Sequence, residues 1–280
     1  MHMRAVSVLV AVAFIVVIAG AIGLALAAPT LARLWRRERR ARRPFPAAWR
    51  EILRRRVPLV RELTAAQQLR LKKHVQVLLA EVPFIGCAGL QIDDEMRVTI
   101  AAQAAFLLLG RGGSFGNLRE VLVYPGRFIA PRSEPGAAGV VHESRDVLAG
   151  QSWQRGQVIL AWDAVRDGAA DPHDGANVVM HEFAHQIDQA HGAANGAPYI
   201  GRGAVQQHWA RVMSREYAEL RARIARDEPG VIDPYGATSP AEFFAVATEA
   251  FYERPQALRD ERPALYEQLA RCYRLDPLAW

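Results

Sequence analysis

Two histidines four residues apart on a buried helix place the strongest constraint on what this chain can fold into. They are His181 and His185 of a His-Glu-x-x-His motif, and the residues around them are apolar at helical spacing. Because helix positions i and i+4 share one face, both imidazoles can hold one zinc ion, with Glu182 beside its open coordination position. A solvated helix face that carries these residues by chance is the alternative, which the apolar surroundings disfavour. The motif therefore predicts metal-assisted hydrolysis, with Glu182 as the general base.

A zinc site needs at least three protein ligands, and the chain offers three candidates for the third. His191 has the spacing of the last histidine in His-Glu-x-x-His-x-x-Gly-x-x-His sites, but Asp188 replaces the glycine at which such chains turn. Glu242 and Glu249 lie seven residues apart on one stripe of a mostly apolar helical segment, where carboxylates require a cation. Glu242 could also serve only as a capping-box glutamate behind Ser239. Spacing alone does not decide between them.

Three stretches of sequence accompany these candidates. They read His-Glu-Phe-Ala-His-Gln-Ile-Asp at 181–188, Ile-Asp-Pro-Tyr-Gly-Ala-Thr-Ser-Pro-Ala-Glu-Phe-Phe-Ala-Val at 232–246, and Gly-Gln-Ser-Trp at 150–153 with Val-Ile-Leu-Ala-Trp at 158–162. Together they resemble the Mlc titration factor A family of bacterial zinc-dependent peptidases, from about residue 49 to the C-terminus. The resemblance implies that His181, His185 and Glu242 bind one zinc ion per chain and that Glu182 is the general base. It favours Glu242 over Glu249.

The same resemblance implies what the chain acts on. It indicates a gluzincin-type peptidase that hydrolyses the peptide bonds of a peptide or protein substrate. It also implies that family members bind and sequester a transcriptional repressor of sugar uptake. The alternative function is therefore a membrane-tethered regulatory binding protein whose peptidase activity is secondary.

Three further residues are expected to support the chemistry. Tyr235 lies in a loop rich in Pro and Gly and is the nearest hydroxyl that could stabilise the oxyanion, although a loop tyrosine is more often simply packed. Asp188, one turn after His185, and Glu249 are candidates to orient a ligand imidazole through a hydrogen bond. For Asp188, a salt bridge on the helix surface is the alternative.

Helical patterns dominate the chain, and a few short β-branched stretches precede the metal motif. Residues 121–124 and 158–162 are typical of strands in a small sheet. The expected fold class is therefore α+β, a zincin-like metallopeptidase domain that is mostly helical with a small sheet, after one N-terminal transmembrane helix. Val158, Ile159 and Leu160 are expected to bind substrate along an open strand edge, and a purely structural strand is the alternative.

An apolar segment opens the chain. Residues 5–28 carry no charge and are long enough to cross the roughly 30 Å hydrocarbon core of a membrane as a helix. Only Arg4 precedes them, whereas seven arginines follow closely, so the positive-inside rule keeps the C-terminal side in the cytoplasm. A cleaved signal peptide ending near Ala28 is the alternative. We expect an uncleaved anchor in a bacterial inner membrane, with the catalytic domain cytoplasmic.

Charge and cysteine usage complete the expected organisation. Residues 1–43 hold eight arginines and one glutamate, which is a net charge of +7. Because the whole chain has a net charge of +6, the remaining residues carry a net charge of about −1. The basic run therefore reads as a juxtamembrane cluster, and no direct nucleic-acid binding is expected. The two cysteines fit a reducing cytoplasm. The expected parts are a transmembrane anchor at 1–30, an arginine-rich linker at 31–46 and a zinc metallopeptidase domain at 47–280.

Overall fold

The protein, described by a computed structural model, is defined for residues 2–135, 141–148, 150–153 and 156–280. The chain divides into two compact units, Met1–Pro44 and Phe45–Trp280. The boundary falls in the sequence Pro-Phe-Pro at 44–46, where each proline disfavours a continuing helix.

The N-terminal unit is built on one long helix, α1 (His2–Ala41). Its segment Val17–Ala41 is long and apolar enough to cross a membrane, and the apolar stretch is not buried by protein. The helix continues through most of the arginine run, so the basic side chains lie on the same helix as the apolar segment.

The larger unit contains six described strands, four of which form a small sheet. Its strands are β1 (Phe84–Gly86), β2 (Glu120–Tyr124), β3 (Phe128–Pro135), β4 (Val141–Leu148), β5 (Gly150–Trp153) and β6 (Gln157–Ala161). Four of them form one sheet in the order β1-β2-β6-β5, in which β1, β2 and β6 are parallel and β5 is antiparallel to β6. β3 and β4 form a separate antiparallel pair. On one face of the paired strands β2 and β6 the side chains are fully buried, namely Val121, Val123, Val158 and Leu160. On the other face of β2, Leu122 and Tyr124 are only partly buried.

Helices make up most of the larger unit. They are α2 (Ala47–Arg56), α3 (Ala65–Glu81), α4 (Asp94–Phe106), α5 (Trp162–Ala170), α6 (Val178–Asp188), α7 (Ala204–Ala225), α8 (Pro240–Glu253), α9 (Pro255–Glu261) and α10 (Pro263–Tyr273). Short 3-10 turns lie at Pro58–Arg61, Gln189–His191, Pro234–Ala237 and Pro277–Ala279. Polar side chains fix several helix starts; Thr64, for example, forms a capping box with Gln67 at the start of α3.

The core lies between α4, α6 and α8. Every residue of α8 from Phe243 to Glu253 is buried, and so is every residue of α4 from Val98 to Phe106. Aromatic rings fill the space around α8; Phe244 meets Trp209 of α7 edge to face, with ring centroids 5.8 Å apart. A fully buried Phe side chain stabilises the fold by about 1.5–3 kcal/mol. This packing fixes α6 against α8 and so determines the positions of the polar groups between them.

The α+β class, mostly helical with a small sheet, is confirmed. The strand expected at 158–162 is β6, although Trp162 already belongs to α5. The expectation that Val158, Ile159 and Leu160 form an open edge for substrate is wrong, because β6 pairs with β2 on one side and β5 on the other. Its backbone N–H and C=O groups are used within the sheet, and the outer edge beside β6 belongs to β5.

Candidate metal centre

Helix α6 carries the His-Glu-x-x-His motif, and one side chain fixes its start. Asn177 Oδ1 accepts the backbone N–H of Met180 at 3.0 Å, which satisfies one of the unpaired amides of the first turn. The fully buried apolar residues of the helix are Val179, Met180, Phe183 and Ala184. They hold α6 in the core while its polar residues occupy the remaining face.

Helix α8 brings a carboxylate to the two histidines. Ser239 closes the start of this helix by accepting the N–H of Glu242 at 3.2 Å, and Pro240 takes the first helical position. The Glu242 carboxylate extends toward α6, where its Oε2 lies 2.8 Å from His181 Nε2 and 3.4 Å from His185 Nε2. The side chains of two helices thus converge.

The three converging atoms form a small triangle. His181 Nε2 and His185 Nε2 are 3.2 Å apart, and Glu242 Oε2 closes the other two sides. Around a tetrahedral ion with bonds of about 2.1 Å, neighbouring ligand atoms lie about 3.4 Å apart. Imidazole nitrogens and a carboxylate are also ligands that such an ion prefers. The residues present therefore fit a small divalent metal ion.

A second carboxylate on α8 holds the other nitrogen of His181. Glu249 Oε1 lies 2.8 Å from His181 Nδ1, and its Oε2 accepts the N–H of Asn177 at 2.5 Å. Burial lowers the pKa of His181, but the hydrogen bonds with Glu242 and Glu249 outweigh it and raise this pKa well above its usual value. Burial raises the pKa of Glu242, whereas the two imidazoles bring it far below its usual value. The cluster thus favours positive charge, which a metal ion supplies.

Glu182 is buried beside the cluster with one oxygen unpaired. The residue is 5% exposed, and its Oε2 has no hydrogen-bond partner in the part of the chain that the structure describes. Burial is the main cause that raises the pKa of Glu182 to about 7; the two histidines lower it, and the neighbouring glutamates raise it. A carboxyl group that titrates near neutral pH can both accept and release a proton.

An open cavity of about 640 Å³ leads to these groups. Gly150 of β5, His181, Glu182 and Tyr235 contribute to its walls. Its volume falls within the range of about 300–1,000 Å³ that is usual for ligand pockets. Tyr235 is 47% exposed, and its ring centroid lies 6.0 Å from that of His181. A phenolic side chain therefore borders the cluster on the open side.

Two residues that the sequence singled out lie elsewhere. The Asp188 carboxylate accepts the backbone N–H groups of residues 195–197 at 2.8, 2.7 and 3.0 Å. It ties this loop to α6 and does not orient His185, whose Nδ1 has no partner among the described residues. His191 packs edge-on against Tyr199, with centroids 5.3 Å apart, and is outside the group that could hold a metal.

Sequence reasoning missed three residues that shape the site. Besides capping α6, Asn177 donates from Nδ2 to Glu253 Oε1 at 2.9 Å. Burial is the main cause that raises the pKa of Glu253 to about 8. An Asn before an apolar helical run is a recognisable capping signal. Gly150 approaches Glu182 so closely that a Cβ on it would lie 2.6 Å from Oε1. No local pattern signals this contact, because it joins a strand to a distant helix.

Comparisons with known proteins agree with one another. The family profile described as glucose-regulated metallo-peptidase M90 matches residues 32–274. An uncharacterized protein of Synechocystis sp. (strain ATCC 27184 / PCC 6803 / Kazusa) is 42% identical over 246 residues, which cover 87% of this chain and 90% of that protein. Mlc titration factor A of Yersinia pestis (strain Pestoides F) is 34% identical over 239 residues, or 83% of this chain and 86% of that protein. Its counterpart in Yersinia pseudotuberculosis (serotype O:1b) matches equally well.

Proposed function

Because the chain belongs to the glucose-regulated metallo-peptidase M90 family, we propose that it is a zinc-dependent peptidase of gluzincin type. In this proposal His181, His185 and Glu242 bind one zinc ion per chain. The observation that carries it is the triangle of their ligand atoms, with sides of 2.8, 3.2 and 3.4 Å, beside the buried carboxyl group of Glu182. The substrate is a peptide or a protein.

In the proposed mechanism, each side chain around the triangle has a separate role in hydrolysis. When bound, zinc supplies a Lewis acid that polarises the scissile carbonyl and acidifies a water molecule. Glu182 would serve as the general base, since its carboxyl group is buried beside the three ligands and its Oε2 has no hydrogen-bond partner among the described residues. The Tyr235 hydroxyl donates to the oxygen that gains negative charge. Glu249 keeps the His181 imidazole oriented through its hydrogen bond to Nδ1.

The outer edge of β5 is the proposed place for the substrate backbone. β5 is the end strand of its sheet, and its first residue, Gly150, lines the cavity. A strand edge offers N–H and C=O groups with which an extended peptide can pair. A peptide bound there would pass Glu182, since a Cβ on Gly150 would be within 2.6 Å of that carboxylate.

This contact makes Gly150 a sensitive position. A Cβ there would also lie 2.7 Å from Val178 Cγ2, so Gly150→Ala must displace the Glu182 side chain. We expect this variant to lower the rate of peptide hydrolysis by at least about tenfold with unchanged metal content, because the two side chains that must move, Glu182 and Val178, are not proposed metal ligands. Gly192→Ala is the matched control, since a Cβ on Gly192 meets no atom within 4 Å. Parental rates in Gly150→Ala would contradict the placement of the base.

Metal dependence tests the proposed function directly. The full chain, purified in detergent, is expected to contain one zinc ion per chain and to cleave an unstructured peptide. Removing the metal with a chelator should abolish cleavage, and added zinc should restore it, because the three ligands are assembled by the fold. Metal analysis and mass spectrometry of the products are the measurements. Unchanged cleavage without metal, or no zinc uptake, would overturn the proposal.

A second candidate function is regulatory binding. It is favoured by the relatives that carry the name Mlc titration factor A and align with 83% of this chain. In this alternative the chain sequesters a transcriptional repressor, and peptidase activity is secondary. Glu182→Gln distinguishes the two functions: a variant that has lost hydrolysis but retains a regulatory effect in cells favours binding, and loss of both favours the enzyme.

For the N-terminal unit we propose a single-pass anchor in the inner membrane, with the catalytic domain in the cytoplasm. It is supported by the helical segment Val17–Ala41 and by the arginines that follow the apolar residues. A reporter that is active only in the cytoplasm, fused after Trp280, should therefore be active. Replacing the seven arginines of residues 33–43 by glutamine should lower its activity. Activity of a reporter that works only outside the cytoplasm, or a mature N-terminus near Ala28, would indicate secretion instead.

A further inference from the structure

A second cavity lies at the C-terminal end of α6, and its described walls share no residue with those of the metal cavity. Its volume is about 240 Å³. Three arginines, Arg111, Arg271 and Arg274, line it together with His191. No Asp or Glu is found among its described lining residues, although the larger unit carries a net charge of about −1. The concentration of positive charge is therefore local to this cavity.

The arginines are brought together by a close approach of two backbone segments. A Cβ on Gly110 would lie 2.2 Å from the carbonyl oxygen of Arg274, so only glycine allows this contact. Gly110 thereby sets the next residue, Arg111, against the end of α10. There the Arg111 guanidinium donates from Nη1 to the Cys272 carbonyl at 2.7 Å. The same Nη1 also lies 3.2 Å from Cys272 Sγ. Of the five N–H donors of a guanidinium, those on Nε and Nη2 have no partner among the described residues and can bind a ligand.

Arg274 adopts an unusual backbone conformation at this point. It ends α10 in the left-handed region, with φ 51° and ψ 41°. This conformation is common just after the last turn of a helix, where glycine or asparagine usually occupies it. The Arg274 side chain is exposed, and Arg271 makes only a solvent-exposed contact of 3.7 Å with Glu267. Both side chains can therefore turn toward a ligand.

A glycine-rich loop forms another part of the cavity wall. Gly112 and Gly113 both have positive φ, of 66° and 77°, and precede Ser114 along the cavity. Backbone N–H groups in turns can form concave binding sites for anions. The Gly112 N–H already donates to the Leu108 carbonyl at 2.8 Å, so the amides that remain are those of Gly113 and Ser114, which have no hydrogen-bond partner among the described residues. Ile187 of α6 and Tyr199 add apolar surface beside the charged groups. The cavity thus combines guanidinium groups, loop amides and a small apolar wall.

From these contacts we propose that the cavity is a binding site for a phosphate group, either free phosphate or a small phosphomonoester. Arginine forks match the geometry and charge of phosphate oxygens better than those of a neutral ligand. A volume of about 240 Å³ lies below the usual range of about 300–1,000 Å³ for drug-sized ligands, which favours a small anion. His191, which lies outside the group that could hold a metal, lines this proposed phosphate site.

Calorimetric titration of the full chain in detergent tests this site. The probes are inorganic phosphate and glycerol 3-phosphate, each added at constant ionic strength set with sodium chloride. The test variant is Arg271→Gln with Arg274→Asn, since Asn tolerates the left-handed conformation and preserves the fold. We expect it to bind both probes at least about tenfold more weakly than the parent, because two charge-assisted contacts are lost. Arg211→Gln with Arg221→Gln removes the same charge from α7 and should bind like the parent.

Phosphate could also bind at the metal centre, so the titrations are repeated with His181→Ala. Saturable binding that survives His181→Ala and is lost in the Arg271 and Arg274 variant supports the site. Tighter binding of glycerol 3-phosphate identifies a phosphomonoester as the ligand, and equal binding identifies free phosphate. The proposal is overturned if neither probe binds saturably at about 10 mM, if the double variant binds like the parent, or if His181→Ala abolishes binding.

Discussion

Glu182→Gln is expected to lower the rate of peptide hydrolysis by about 10³-fold while the chain keeps its metal. The amide has the shape of the carboxyl group but cannot take a proton from water. The substitution should leave the fold intact, because Glu182 Oε2 makes no hydrogen bond among the described residues that its loss would break. Steady-state rates with a defined peptide, together with metal analysis and circular dichroism, measure the effect.

Two further variants make this result specific to the base. Tyr235→Phe removes only a hydroxyl group and should lower the rate by about 10²-fold, as expected for the loss of one oxyanion donor. Glu219→Gln should have no effect, since this half-exposed side chain of α7 pairs with Arg226 and does not line the metal cavity. Hydrolysis by Glu182→Gln at the parental rate would show that another group takes the proton.

Glu242→Ala is expected to lower the affinity for zinc by more than about 100-fold. Removing a partner that only orients a ligand costs about 10- to 100-fold in metal affinity, and removing a ligand should cost more. Glu249→Gln, which disturbs the hydrogen bond to His181 Nδ1, should therefore have an intermediate effect. His191→Ala should leave the affinity within about twofold, because His191 packs against Tyr199. Competition with a chromogenic chelator gives the three affinities.

The order of these effects is the critical result. Thermal denaturation of each metal-free variant establishes that the fold is intact before affinities are compared. A larger loss in His191→Ala than in Glu242→Ala would show that the third ligand is the histidine. Equal losses in Glu242→Ala and Glu249→Gln would mean that neither carboxylate has a distinct role.

Local signals in the sequence were sufficient to predict the helices that carry the site. The apolar spacing around His181 indicated α6, and Ser239 followed by Pro240 indicated the start of α8. Periodicity also placed Glu242 and Glu249 on one stripe of a helix, but it could not say what each carboxylate contacts. In the fold they contact opposite nitrogens of the same imidazole, His181 Nε2 and Nδ1. That arrangement depends on how α8 packs against α6, which no local pattern contains.

Features that depend on pairing between distant segments could not be predicted. The apolar sequence at 158–160 is equally compatible with an edge strand and a central strand. The pairing of β6 with both β2 and β5, which makes it an internal strand, is seen only in the fold. Asp188 lies one turn after His185, a position from which a carboxylate could orient the imidazole. In the fold, however, its carboxylate accepts three backbone N–H groups from the loop at 195–197. Backbone donors compete for such a carboxylate, and their position becomes known only with the fold.

In the proposed function, the convergence of α6 and α8 would link metal supply to the lifetime of the protein. His181 and Glu242 are 61 residues apart in the chain, so an ion held between them acts as a cross-link that the unfolded chain lacks. At a free metal concentration 100 times the dissociation constant, such binding stabilises the folded state by about 2.7 kcal/mol. Without the ion this cross-link is lost, although a protonated His181 imidazole still supplies positive charge to the carboxylates between the helices. Cells short of zinc would then hold less of this protein, because proteases degrade the opened apoprotein first.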